Sequence, residues 1–332
     1  MSKHADKRKV GVVTFNNEVT VIGDGSKAGQ VITGDKLFDF EYLQNNGKTQ
    51  AGTHLQQCVG ESAKTLSDKI MAIEETGPTA MGPAVLTSIA MACEGNPGST
   101  VVICTDGLAN VGLGAFDEAK TESEMAKVEE FYERVGQIAQ QNGVTVNIIS
   151  IEGAECNIEV LSKFIELTGG NIERVNPITL TKDFANILSL PVIATKVEAK
   201  VKLHKGLMFR NENVVDLSDD KTLLARSFGN VTEENVFTFE YTLKNISELV
   251  AMEDVNLEEM KCFPFQTQIS YTALDGSRYL RLISKNLDVS NDREELEKKA
   301  DFNLISANAM QKGSQMAARG DFRGGQAIMK TY

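Results

Sequence analysis

Short runs of consecutive apolar residues alternate along this chain with longer stretches in which apolar residues recur every three or four positions. The first kind reads as strands buried on both faces and the second as amphipathic helices. Val10–Phe15 and Glu18–Ile22, joined by Asn16-Asn17, predict a β-hairpin. Thr53–Glu75 carries Leu55, Val59, Leu66, Ile70 and Ile73 at helical spacing, with Thr53 as its cap. A helix over Ala84–Cys93, a strand over Val101–Cys104 and a long acidic helix over Phe116–Asn142 follow. Next come a strand at Val144–Ile151, a helix at Ile158–Thr168, a short strand at Asn171–Val175 and a helix at Leu180–Leu190, stopped by Pro191. This alternation predicts a doubly wound α/β domain with a mostly parallel sheet over residues 1–190.

The pattern changes after Pro191. Val197, Ala199, Val201 and Leu203 alternate with charged residues, the period of a half-buried strand. Further strands are expected at Thr222–Phe228, Val236–Leu243, Gln268–Ala273 and Tyr279–Ile283, the last two joined by an Asp275-Gly276 turn. They imply an antiparallel β-sandwich over 191–287. A helical segment is expected over 288–332, interrupted at Arg319-Gly320-Asp321, where glycine and aspartate suit the ends of two successive helices.

Two stretches carry candidate chemistry. Gly77-Pro78-Thr79-Ala80-Met81-Gly82-Pro83 leads into one helix, and Thr105-Asp106-Gly107 ends the Val101–Cys104 strand. Ligands of open α/β sheets gather at the carboxyl ends of the strands. A threonine hydroxyl and a strand-end carboxylate are hard oxygen donors suited to a magnesium-type cation. In this order, with a helix between, GPTAMGPAV and the apolar strand ending in TDG resemble the von Willebrand factor A (vWA) family. The resemblance implies that Thr79 and Asp106 match two ligands of that family's metal-ion-dependent adhesion site. It also implies an incomplete site, with Mg as a possible cofactor. The loop residues Gly77, Pro78, Thr79, Met81, Gly107 and Asn110 would then face a protein ligand. The alternative reading is local: Thr79 caps the following helix and Asp106 bonds loop amides.

The family's domain begins with a strand ending in Asp-x-Ser-x-Ser, which the resemblance would place between Val10–Phe15 and Val101–Cys104. No counterpart precedes Val10. Three sources stay open: sequence upstream, a neighbouring subunit in a homo- or hetero-oligomer, or Tyr279–Leu287, which runs into Asp288-Val289-Ser290-Asn291-Asp292. The last would make the domain a circular permutant. Simple capping of a helix from Asp292 to Met310 by Ser290 or Asn291 explains the same residues. The full order of A domain, sandwich and helices, with segments such as ELTGGNIERV and TKVEAKVKLHKGL, resembles the trunk of inner COPII coat proteins. Zinc-ribbon cysteines and a gelsolin-like module are not seen.

Composition narrows the partners. The 332 residues carry a formal net charge of -12, which argues against nucleic acid or an anionic membrane. Five widely spaced cysteines without a CxxC read as buried free thiols of a reducing compartment. The start MSKHADKRK shows no signal peptide and no run reaches membrane-spanning length, so a cytoplasmic location without a transmembrane segment is expected. Gly23–Gly29 follows a strand but lacks GxxxxGK[ST] spacing, and reads as a polar connection. His4, His54 and His204 show no catalytic spacing and read as solvated. The expectation is therefore a non-enzymatic interaction or scaffold protein. A subunit of a larger coat or filament, and a weak metal-dependent hydrolase using Asp106, are the alternatives.

Overall fold

A computed structural model describes residues 7–73, 77–105, 108–117, 119–151, 158–176, 178, 182, 184–185, 190–252, 262–290, 292–318 and 320–331. Two compact units emerge. The first comprises Met1–Val197, Phe228–Glu233 and Tyr271–Tyr279, and the second comprises Glu198–Ser227, Glu234–Ser270 and Leu280–Tyr332.

The first unit opens with the expected hairpin, β1 (Val12–Phe15) against β2 (Val19–Gly23), and adds β3 (Gln30–Ile32) in an antiparallel order β1-β2-β3. The expected helix over 53–75 is the later and shorter α2 (Val59–Met71), and a helix that the apolar pattern did not announce, α1 (Phe40–His54), ends where it was expected to begin. α1 is capped by the Asp39 carboxylate, which accepts from the Tyr42 amide, and α2 begins after a break at Leu55–Cys58. Thr53 therefore closes a helix rather than opening one, its hydroxyl donating back to the Thr49 and Gln50 carbonyls. Leu55 falls in the break but continues the spacing of Val59 and Leu66, which moves the expected start back to Thr53.

α3 starts at Met81, three residues before its expected start, and runs to Cys93 with almost every residue to Met91 buried. A helix buried on all sides gives no one-sided apolar stripe to mark its beginning. β4 (Thr100–Thr105), β5 (Thr145–Ile151) and β6 (Ile172–Val175) form a parallel sheet in that order, with Thr100 opposite Thr145 and Ile148 opposite Ile172. α4 (Glu122–Gln141) starts at a capping box, in which the Thr121 hydroxyl accepts from the Glu124 amide and Glu124 accepts from the Thr121 amide. α5 (Ile158–Thr168) coincides with its expected span. The expected helix over Leu180–Leu190 falls mostly outside the described residues.

One core runs through this unit. Val19 and Ile32, α3 residues Leu86 and Ile89, β4 residues Val101 and Ile103, and Phe131, Tyr132 and Phe164 all belong to it. The two sheets share this core, yet β1 and β4 belong to different sheets.

In the second unit, β7 (Ala194–Lys202), β9 (Leu223–Val231), β11 (Cys262–Thr272) and β12 (Arg278–Asp288) form a sheet of order β12-β11-β7-β9, parts of which the first unit takes up. A two-stranded sheet pairs β10 (Glu240–Leu243) with β8 (Leu207–Arg210). Val201, Leu203, Leu207, Phe209, Leu224 and Phe263 fill its core. A short helix, α6 (Ile246–Val250), follows β10. Asp275-Gly276 turns the β11–β12 hairpin as expected, with Gly276 at φ 85° and the Ala273 amide bonded to the Ser277 carbonyl. β12 therefore pairs with β11 and does not complete the first unit, which removes the circular-permutant reading. The helix after it, α7 (Arg293–Lys298), is capped by Asp292, not by Ser290. It is short, and α8 (Phe302–Ala318) and α9 (Phe322–Thr331) follow. Asp321 caps the last of these by accepting from the Gly324 amide.

Candidate functional site

Thr79 sits in the segment that enters α3, and its backbone is held on both sides. The Ala80 amide donates to the Asn16 carbonyl just past β1 at 2.7 Å. The Thr79 amide donates to Asn110 Oδ1 at 2.6 Å, and the Asn110 amide returns a bond to the Thr79 carbonyl at 3.0 Å. Asn110 is thus a staple between the loop before α3 and the loop after β4. That role is invisible in sequence because its partner lies 31 positions away.

The loop after β4 is fixed at its far side as well. The Phe116 amide bonds the Ala109 carbonyl at 2.7 Å, and the Phe116 ring stacks on Tyr132 at 5.7 Å. The Tyr132 hydroxyl donates to the Gly114 carbonyl at 3.2 Å. Burial keeps that phenol protonated, its pKa pushed well above the ordinary value. Sequence reasoning missed Phe116 and Tyr132 as supports, since the expected helix began at Phe116 and hid the loop anchor inside it.

Of the expected loop residues, Gly77 and Pro78 are exposed and Thr79 and Asn110 half-buried, all on one rim. Met81 is not on that rim. Its side chain is 1% exposed in the core, so it cannot touch a docked protein. Thr79 does not cap α3 either. The N-cap position belongs to Ala80 and no side chain bonds the first turn. Asp106 and Gly107 lie outside the described residues.

The described donors do not make a magnesium site by themselves. The Thr79 hydroxyl is one neutral oxygen, the Asn110 Oδ1 beside it is engaged by a backbone amide, and octahedral coordination needs more. Among the described residues no group of three or more His, Cys, Asp or Glu could hold a metal ion.

Several other candidates resolve into structural parts. Gly23-Asp24-Gly25-Ser26 is not a phosphate loop: its anion is internal. The buried Asp24 carboxylate accepts from the Ser26 amide (2.9 Å), the Gln56 amide (2.7 Å), the Gln57 amide (2.8 Å) and the Ser26 hydroxyl (2.5 Å). Burial alone would raise its pKa, but the bonds from Gln57, Ser26 and Gln56 outweigh that and bring it down to about 2. His54, expected on the surface at a helix start, is 8% exposed at the end of α1. Its Nδ1 meets the Thr53 hydroxyl and its Nε2 the Ala28 carbonyl at 3.0 Å. His204 is half-buried against Phe263, and its Nδ1 accepts from the Gly206 amide at 3.1 Å. His4 lies outside the described residues. Cys58, Cys93, Cys104 and Cys262 are free thiols. Cys104 is exposed rather than buried, and desolvation raises the Cys93 thiol pKa to about 11.

No protein-family model matches the chain. A curated relative, "Circularly permutated Ras protein 1" of Dictyostelium discoideum, is 33% identical over 317 residues, or 95% of this chain. The chain spans 36% of that protein's length. Human COPII-coat protein Sec24c superposes with a TM-score of 0.63 at 14% identity over 99% of this chain and 46% of Sec24c. The ArnB paralog VWA2 from Sulfolobus acidocaldarius matches at a TM-score of 0.39 and 8% identity, over 97% of this chain and 68% of its own, which is too low to carry an argument. The likeness to Sec24c shows a shared fold along this chain. Among the described residues, no helix is long and apolar enough to cross a membrane.

Proposed function

We propose that this chain is a non-enzymatic interaction protein that engages a protein ligand through the rim formed by Gly77–Thr79 and the loop around Asn110. The observation that carries the reading is the cross-loop staple between Thr79 and Asn110. It holds two loops at the carboxyl ends of strands in one arrangement while leaving the Thr79 hydroxyl without a hydrogen bond among the described residues. A rim ordered in advance spares a partner the entropy of fixing it. A fold shared with a coat protein supports an assembly role, and a subunit of a coat or filament is the second reading. Assistance by magnesium belongs to the proposal, through Thr79 and Asp106 with further oxygens from outside the described residues.

The test compares the wild type with Thr79→Ala, Asn110→Ala and Asp106→Ala as affinity baits, each with magnesium and with a chelator. Partners that all three variants lose, at an unchanged thermal midpoint for Thr79→Ala and Asp106→Ala, support the rim. Equal capture by wild type and variants overturns it. Self-assembly indifferent to all three substitutions favours the coat or filament reading. Turnover lost specifically in Asp106→Ala would favour the hydrolase.

A further inference from the structure

The second unit carries a groove of about 650 Å³. It crosses the last residues of β7, the first of β11 and the later half of β12, which are neighbours in their sheet. Side chains alternate between the two faces of a strand. Val201, Phe263, Phe265 and Leu287 turn toward the core of this unit, so Lys202, Pro264, Gln266, Ser284 and Asn286 lie on the opposite face.

Cations and hydrogen-bond donors line the groove, and no carboxylate does. Lys202, Lys205 and Lys285 bring three ammonium groups to it. The side chains of Lys202, Lys285 and Asn286 have no hydrogen bond or ion pair among the described residues. Gln268 Nε2 donates to Gln266 Oε1 at 2.8 Å, and Gln266 Nε2 donates to the Ser284 hydroxyl at 3.1 Å. Both bonds run the same way. The Ser284 oxygen accepts, which leaves its O–H as a donor. His204 also ends in a donor. Its Nδ1 accepts from the Gly206 amide, and burial and the Lys205 charge lower its pKa, so the ring is neutral at pH 7 with its proton on Nε2. That Nε2 has no partner among the described residues. The whole chain carries a formal net charge of -12, so this positive cluster stands against the charge of the rest.

We propose that the groove binds a soluble phosphate monoester, its phosphate among Lys202, Lys285, Ser284 and Asn286 and its organic body against Pro264 and Phe265. A phosphate monoester brings a charge of about -1.5 to -2 at pH 7 and three acceptor oxygens. A carboxylate brings one charge and two oxygens, too few for these donors. Lysine holds phosphate as a point charge, without the bidentate fork that arginine needs. The volume lies within the roughly 300–1,000 Å³ of small-molecule sites, which leaves room beyond the phosphate for the body of the ligand. The negative charge of the chain repels an anionic membrane surface, which favours a ligand free in solution. The groove is built from second-unit residues and uses none of the loop rim, so either site can fail without the other.

The chain has three histidines, so the His204 ring can be followed by NMR in the full chain labelled at histidine. The probes are phenyl phosphate, inorganic phosphate and benzoate, each titrated at constant ionic strength. Phenyl phosphate should give a saturable one-to-one shift of the His204 signals, and the other two should bind about tenfold more weakly. Lys202→Ala and Lys285→Ala should each weaken phenyl phosphate about fivefold or more, and Ser284→Ala about threefold, at an unchanged thermal midpoint. Lys298→Ala removes an exposed charge outside the groove and should change nothing. Absence of a saturable shift overturns the proposal. Equal affinity for benzoate also overturns it, in favour of acidic side chains. An equal loss from Lys298→Ala means diffuse attraction and overturns it too. So does capture by vesicles of phosphatidylcholine with phosphatidylinositol 4-phosphate when phenyl phosphate gives no response, since the ligand is then a lipid headgroup.

Discussion

Single residues in this protein hold loops more than they perform chemistry, and two of them give sharp expectations. Asp24 binds four donors from three residues inside the first unit. Asp24→Asn removes the charge and turns one acceptor into a donor facing amides, which should cost about 1–3 kcal/mol by urea unfolding. Its folded pKa, about 2, lies below the unfolded value of 3.8, so its contribution is present above pH 3.8 and is lost as pH falls toward 2. The stability of Asp24→Asn should therefore depend less on pH in that window than that of the wild type. In the second unit, Arg226 donates to Glu212 at 3.0 Å and Asp216 at 3.2 Å and lies 5.0 Å from the Phe237 ring. Burial raises the Glu212 pKa, against the pull of Arg226. Arg226→Ala should destabilise by about 3 kcal/mol, because it strands a nearly buried carboxylate. A raised folded pKa favours the protonated native state, so the stability of that variant should improve as pH drops toward the carboxylate range. Neither cluster was legible in sequence. Asp24 sat in a glycine-rich loop that suggested phosphate, while its partners Gln56 and Gln57 lie 32 and 33 positions on.

Among the elements, the strands written as continuous apolar runs are the most legible, whereas β3, β8 and the whole of α1 are not. The β1–β2 hairpin, β4, β5 and the β11–β12 turn follow the apolar runs and the Asp-Gly signal closely, because a buried strand and a tight turn are both written in adjacent residues. Helix ends were read worst where burial or a break blurred the pattern, as at Met81 and at Leu55–Cys58. α3 explains much of its own burial through α1. At Gly47 of α1 an added Cβ would stand 2.5 Å from the Thr87 carbonyl and 2.7 Å from the Ala90 Cβ. Gly47→Ala should therefore destabilise by about 1–3 kcal/mol, measured by thermal unfolding, despite the roughly 1 kcal/mol that alanine gains over glycine in a helix. A matched Gly52→Ala, in the same helix with open space around it, should be neutral or stabilising.

At the scale of the molecule, composition and alternation gave the α/β class, and the vWA-like resemblance rested on the Thr79 loop and the β4 end. Neither showed that Phe228–Glu233 and Tyr271–Tyr279 return to the first unit, because contacts across such separations leave no local trace. The returning segments are not decoration. Asn230 Nδ2 donates to the Thr145 hydroxyl at 2.9 Å, fully buried, and Leu274 packs on Gly98. A fragment ending at residue 190 should therefore unfold at lower urea than the first unit does in the full chain, followed by the Tyr132 environment. The divided sheet has a consequence in mechanical terms. Within an intact ladder, hydrogen bonds loaded together resist shear between neighbouring strands, whereas among the described residues no ladder joins β1 to β4. That seam is where shear within the first unit meets no strand-to-strand ladder among the described residues. A load applied across it is borne by α3 and by the bonds that tie Asn16, Thr79 and Asn110 together.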